Sequence, residues 1–273
     1  MKRLGSFALV ATLLLAPFPV APQAAHAVDD VAPAISVKVD DQEQVYDPSP
    51  VLQNGRTMVP MRALFEKLGS TVEWDDATQT ITAQSDTRKG QIKLKLQVGN
   101  PIAFVNDTPI ELDQAPTMFG NYTMVPLRLV SESLRAAVIW DEQDHSIEVY
   151  SLNYQLFLSA IRGNVDLVTK ELELGADPNY TKLDNGDTPL IGSALLMRLH
   201  VVELLLANGA NINAQDNDGY SALIMAVSKQ DLDMTKLLLD HGADPSLKSK
   251  EGTALDLARQ FKNQPLIDLL QSQ

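Results

Sequence analysis

The chain predicts two unlike parts: an α+β N-terminal domain made from a duplicated β-α-β-β unit, then an all-α solenoid of about four repeats. Two internal similarities carry that prediction. Gly186-Asp187-Thr188-Pro189-Leu190 recurs as Gly219-Tyr220-Ser221-Ala222-Leu223, thirty-three residues on. A period of that size marks short units that hide their apolar faces only by stacking on one another. Residues 57–84 also align with 123–150 without a gap at an offset of 66, with eleven identities in 28 positions. The 273 residues leave room for both parts, since a domain takes roughly 150.

The first 27 residues belong to neither part. Lys2 and Arg3 give a basic start, Leu4 to Leu15 an apolar stretch, and Ala25-His26-Ala27 an A-x-A cleavage pattern. This reads as a secretory signal peptide over 1–27, cut before Val28, with a short linker over 28–34. A lasting membrane anchor needs about 20 uninterrupted apolar residues, and Pro17, Pro19 and Pro22 interrupt the run. Stable membrane insertion is therefore not expected once the signal is removed. The absence of cysteine excludes disulfides, thiolate metal sites and a cysteine nucleophile. For an exported chain it fits a bacterial envelope better than a small eukaryotic secreted domain. The formal charge of −13 becomes −15 without Lys2 and Arg3. An acidic surface repels phosphate backbones, so nucleic acid is an unfavourable partner.

Each N-terminal copy can be read locally. Asn54-Gly55 suits a tight hairpin because both residues accept positive φ, and Thr57 to Val59 continue as a strand. Pro60 suits a helix start. Met61, Leu64, Phe65 and Leu68 then recur at helical spacing, and Gly69 offers a left-handed stop. Strands follow through Val72 and Trp74 and around Ile81, with a polar turn between. The second copy carries Arg135 where the first has Gly69, so its helix end should differ. Arg62 and Arg128 read as ties from helix to neighbouring strand through a planar donor fork, and Trp74 and Trp140 as core anchors. The acidic turns Asp75-Asp76 and Asp141-Glu142-x-Asp144 lack the ligand spacing and glycine of an EF-hand loop and read as solvated.

The turn, Thr-Met-Val-Pro-x-Arg, short helix and Trp-Asp before a last strand resemble the copper amine oxidase N-terminal-like domain, or stalk domain, over residues 35–150. The resemblance implies an accessory domain of exported proteins from Gram-positive bacteria, lying outside any oxidase core. Asn121-Tyr122, Asn153-Tyr154 and Asn179-Tyr180 offer the dipeptide from which amine oxidases build their quinone. The copper that makes it needs converging histidines, whereas His145, His200 and His241 are scattered. No cofactor and no metal are expected.

From 151 to 273 the sequence resembles the ankyrin repeat family. The second copy is fullest, with Thr188-Pro189-Leu190, Ala194, Val201 to Leu206, Gly209-Ala210-Asn211 and Asn213-Ala214. Thr188 can cap a helix that Pro189 begins, and Gly209 can end the next. The outer copies are degenerate, as terminal units facing water should be. Two departures stand out. One extra residue between Gly175 and Gly186 should bulge the first hairpin tip, and Met197-Arg198 replaces the family's Gly-His, which puts that turn's geometry in question.

The resemblance implies a concave face of hairpin tips and inner helices that binds other proteins. The matching positions are Arg162, Asp184, Asn185, Asp187, Leu195 and Leu196 in the first two copies. Asn217, Asp218, Tyr220, Ser228 and Lys229 follow in the third. Tyr220 with Leu195 and Leu196 would form an aromatic-aliphatic anchor. The chain has no Gly-x-Ser-x-Gly, no His-Glu-x-x-His and no phosphate-binding glycine loop, so it is not expected to be an enzyme. The expectation is an exported protein that binds a protein partner at the cell envelope. The alternative is a wall-polymer (carbohydrate) binder, with the stalk domain engaging the polymer and the repeats as scaffold.

Overall fold

The computed structural model describes residues 35–141 and 146–272. The predicted signal segment, the linker and the second acidic turn beyond Asp141 lie outside those residues. Strands β1 (Ser36–Val39) and β2 (Gln42–Gln44) form a hairpin turned by Asp40 and Asp41, both at positive φ. Strands β3 (Val51–Gln53) and β4 (Arg56–Pro60) form another, turned by Asn54 and Gly55 at φ 51° and 74° as the dipeptide predicts. Pro60 ends β4 and stands just outside helix α1 (Met61–Lys67), which buries Met61, Leu64 and Phe65. Gly69 at φ 76° turns the chain into the hairpin β5 (Ser70–Asp75) and β6 (Thr80–Thr87). Three linking strands follow: β7 (Gly90–Gln97), β8 (Ile102–Val105) and β9 (Thr108–Glu111).

The second copy runs β10 (Thr117–Phe119), β11 (Tyr122–Pro126), α2 (Leu127–Ser133), β12 (Ala137–Asp141) and β13 (Ser146–Tyr150). Each unit thus carries one strand more than the aligned segment suggests. The strands form sheets in the orders β10-β11-β4-β3, β5-β6-β7-β8-β9 and β12-β13-β1-β2, with β1 parallel to β13. The shared sheet records the duplication. Strands β4 and β11 pair antiparallel through Met58↔Pro126, Val59↔Val125 and Pro60↔Met124. Exchanging each residue for its counterpart at offset 66 maps that register onto itself. The two copies are therefore related by a pseudo-twofold axis between Val59 and Val125, both wholly buried.

Three expectations for this half are corrected. The second helix ends as the first does, because Arg135 itself adopts the left-handed conformation at φ 64°. Its guanidinium donates to the Leu174 carbonyl and its own carbonyl accepts from Gln155 Nε2, contacts that offset the strain of a non-glycine residue there. Nor does either helix arginine tie to a strand. Arg62 pairs with Glu66 one turn along its own helix at 3.6 Å, and Arg128 has no ion pair among the described residues. Trp140 is 43% exposed rather than a core anchor, and Trp74 is half-buried, its indole Nε1 donating to Asp76.

The solenoid stacks four helix pairs: α3 (Leu152–Arg162) with α4 (Val165–Glu173), α5 (Pro189–Leu195) with α6 (Leu199–Ala207), α7 (Ala222–Ser228) with α8 (Leu232–Asp240), and α9 (Ala254–Gln260) with α10 (Gln264–Gln271). A short hairpin, β14 (Lys248–Ser249) with β15 (Gly252–Thr253), precedes the last pair. The inner helices α3, α5, α7 and α9 lie side by side, and each starts on a hydroxyl cap at Ser151, Thr188, Ser221 or Thr253. Their apolar faces join those of the outer helices in one core, including Leu156, Leu190, Leu205, Leu223 and Leu257.

Asparagines stitch the turns beneath. Asn179 Oδ1 accepts from the Asn211 amide at 2.6 Å, and Asn213 Oδ1 from the Asp244 amide at 2.8 Å. The turn at Met197-Arg198 keeps the geometry of the later repeats: Met197 takes φ 57°, as Gln230 and Lys262 do at 55°. Arg198 lies against Gly163 and its Nε donates to the Ile161 carbonyl at 3.2 Å.

The two halves keep separate hydrophobic cores but belong to one compact unit. Polar contacts join them. Asp40 accepts from both the amide and the hydroxyl of Ser151 at 2.7 Å, and Tyr154 donates its hydroxyl to Asp41. The Arg88 amide donates to the Gly175 carbonyl at 3.2 Å. Burial pushes the Asp40 carboxyl above its usual range, against the opposing pull of the Ser151 bonds.

Glu171 on α4 is a liability within the first repeat. It is 6% exposed, receives one hydrogen bond, from Ser159 at 2.9 Å, and its Oε2 has no partner. Burial pushes its carboxyl from 4.5 to about 6. A raised carboxyl favours the protonated fold, so its stabilising effect is complete below pH 4.5 and is lost as pH rises through about 6. Glu171→Gln is expected to raise stability by about 1 kcal/mol at neutral pH and to leave it unchanged at pH 4. Urea unfolding of both proteins across that range checks this; parallel pH profiles would refute it.

Candidate functional site

The exposed edge of the solenoid begins with its hairpin tips. In the first tip the Lys182 amide donates to the Asp187 carbonyl and the Gly186 amide to the Lys182 carbonyl. In the second, the Asp216 amide donates to Tyr220 and the Gly219 amide to Asp216. The closing pair spans one residue more in the first, which is where the extra residue sits, and Leu183 projects there at 73% exposure. Neighbouring tips are bonded backbone to backbone, Asn217 to Asn185 at 2.9 Å and Lys250 to Asp218 at 3.0 Å. Gly186 and Gly219, at φ 77° and 83°, allow that approach.

The eleven predicted residues fall in two rows. Asp184, Asn185, Asp187, Asn217, Asp218 and Tyr220 lie along the tips. Arg162, Leu195, Leu196, Ser228 and Lys229 lie where α3, α5 and α7 end. The seven residues of α5 separate the rows by about 10 Å at 1.5 Å per residue. Tyr220 therefore does not adjoin Leu195 and Leu196 as one anchor. It is half-buried against the solenoid core, and Lys250 Nζ sits 5.7 Å from its ring centroid. Lys250 in turn pairs with Asp218 at 2.6 Å.

Other predicted residues also have internal work. Asn185 donates to Asp187 at 2.6 Å, and Ser228 donates its hydroxyl to the Met225 carbonyl at 2.7 Å. Lys182 bonds Asp184 at 2.9 Å and holds its carboxyl below the usual range, while burial pushes Asp187 upward. In the second row Leu195 is half-buried and Leu196 is 41% exposed; Arg162 and Lys229 are exposed. Leu183, Met197 and Lys250 belong with these residues and were not among the candidates read from the sequence. The extra tip residue was the available signal for Leu183.

Chemically the tips offer carboxylates, amides and isolated apolar side chains on a rigid frame. Among the described residues there is no cluster of three or more histidine or acidic side chains fit to hold a metal. No described helix is long and apolar enough to cross a membrane.

Comparison with known families agrees with this architecture. The model of the copper amine oxidase N-terminal domain matches residues 38–149. That of ankyrin repeats, in three copies, matches 156–249 and again 194–272. Similar proteins include the rat ankyrin repeat and SAM domain-containing protein 6, 41% identical over 106 residues, covering 37% of this chain and 12% of that one. The mouse B-cell lymphoma 3 protein homolog is 33% identical over 51% of this chain and 32% of its own length. An ankyrin repeat-containing protein of Treponema pallidum is 31% identical over 42% and 39% respectively. The match thus spans well under half the length of each of these relatives. Residues 38–149 are a copper amine oxidase N-terminal domain, and the chain continues through 156–272 as ankyrin repeats.

Proposed function

We propose that this is a non-enzymatic, exported bacterial protein whose ankyrin repeats bind a protein partner at the cell envelope, held there by the stalk domain. One observation carries the reading. The capped and stacked inner helices fix two exposed rows whose apolar members, Leu183, Leu196 and Met197, contribute little to the core. Large apolar side chains on a rigid frame, ringed by carboxylates and amides, suit a partner with shallow apolar pockets and basic neighbours. The basic start, apolar run and A-x-A pattern before Val28 support export.

The test is affinity capture from envelope and medium with the whole mature chain, beside a variant carrying Leu183→Ser and Leu196→Ser. Both sites are exposed, so the thermal midpoint should stay within a degree or two. Retention of the specific partner should weaken about tenfold or more. Undiminished capture by the variant would overturn the reading.

A further inference from the structure

The pseudo-twofold places two clefts in the stalk domain, each assembled from both copies. In one, Pro60, Arg62 and Trp74 of the first copy stand across from Asn121, Tyr122 and Thr123 of the second, around about 410 Å³. In the other, Pro126, Arg128 and Trp140 of the second stand across from Gly55, Arg56 and Thr57 of the first, around about 540 Å³. Every residue named in one cleft is the offset-66 counterpart of one in the other. Part of this lining is open to solvent. Tyr122 is 44% exposed, Trp140 nearly as much, and both Arg62 and Arg128 are exposed. The Arg62–Glu66 pair lies on the surface, where such pairs contribute little.

We propose that these two clefts bind a neutral pyranose oligosaccharide. Each tryptophan offers a ring face to the C–H face of a sugar, and the surrounding guanidinium, carboxylate and amide groups hydrogen-bond its hydroxyls. The charge balance selects a neutral ligand. Arg62 faces Asp76 in the smaller cleft, while Arg56 and Arg128 share the larger with Glu111, Asp113 and Glu132. Arg56 is moreover paired to Asp113. On a chain of charge −13 neither cleft attracts a polyanion.

The walls at Arg56-Thr57 and Tyr122-Thr123 are strand ends, paired on one side with Gln53, Leu52, Phe119 and Met118. Two like clefts on one rigid domain also suit a polymer of repeating sugars, since a second engagement becomes intramolecular. The site is independent of the ankyrin rows, and either reading can fail alone.

Trp74 and Trp140 are the two tryptophans of the chain, so selectively excited tryptophan emission has one reporter in each cleft. The whole mature chain is titrated with N-acetylchitohexaose and, separately, cellohexaose. A saturable emission change is expected with at least one of them. The single-tryptophan forms Trp74→Phe and Trp140→Phe assign it to a cleft. Tyr122→Ala with Arg62→Ala should weaken binding in the smaller cleft about tenfold, as should Arg128→Ala in the larger, with far-ultraviolet circular dichroism unchanged. A folded wild-type chain giving no saturable change with either sugar at millimolar concentration overturns the proposal. So does a response unaltered by all of those alanine variants.

Discussion

Gly219→Ala is expected to destabilise the solenoid by about 3 kcal/mol, while Gly242→Ala removes only about 1 kcal/mol. Both glycines adopt left-handed backbone, at φ 83° and 87°, so both substitutions bring similar conformational strain, roughly 1 kcal/mol or somewhat more. They differ in what the new methyl group meets. At Gly242 nothing lies within 4 Å, whereas at Gly219 a Cβ would stand 2.7 Å from the Lys248 carbonyl oxygen and 3.0 Å from Ser249 Cα. Those are backbone atoms of the next tip and cannot rotate away. The tips must separate, stretching the bond from Lys250 to Asp218, and overpacking adds about 1–3 kcal/mol. Equilibrium urea unfolding of the two variants measures the difference. Equal losses would mean that the tips are not packed as described.

Tyr154→Ala should be at least as damaging, at about 3–5 kcal/mol, and should act on both halves. Tyr154 is 1% exposed. Its ring stacks 6.0 Å from Phe157 and meets Tyr180 edge-on at 6.4 Å, and its hydroxyl donates to Asp41 in the stalk hairpin. Truncation opens a cavity in the first repeat and releases one grip of the junction. Tyr154→Phe keeps the ring and loses only the hydrogen bond, about 1–1.5 kcal/mol. The alanine variant is expected to unfold in two transitions and to be cut readily near residue 150 by a dilute protease. A single transition with a loss below about 1 kcal/mol would show that the polar contacts, not this ring, hold the halves together.

Much of the fold is legible because it rests on local chemistry. Thr188-Pro189 and Asn54-Gly55 act through their own backbone, and the caps and turns they predict are present. Residues whose role depends on a distant neighbour were misread. Arg135 and Met197 hold left-handed positions without being glycine because neighbouring contacts or repeat stacking fix the turn. Trp140 looked like a core residue from its size and its match to Trp74, but it lines a cleft whose far wall is a hairpin more than 80 residues away. The candidate residues lie in two rows, at the tips and at the helix ends. Sequence alignment to a repeat gives each position, not the helix length separating the ends of a row.

The grip of Asp40 on Ser151 bears on how such a protein can change length over generations. The stalk occupies the side of the first repeat where another repeat would otherwise stack, and it supplies the carboxylate that receives the amide and hydroxyl opening α3. A unit inserted there would have to part Tyr154 from Asp41 and Gly175 from Arg88 at once. A unit gained or lost beyond α7 breaks none of those contacts and needs only caps, glycine approaches and asparagine bonds of the kind that join Asn179 to Asn211 and Asn213 to Asp244. The lineage can therefore lengthen or shorten its array at the end far from the stalk while the joint stays fixed.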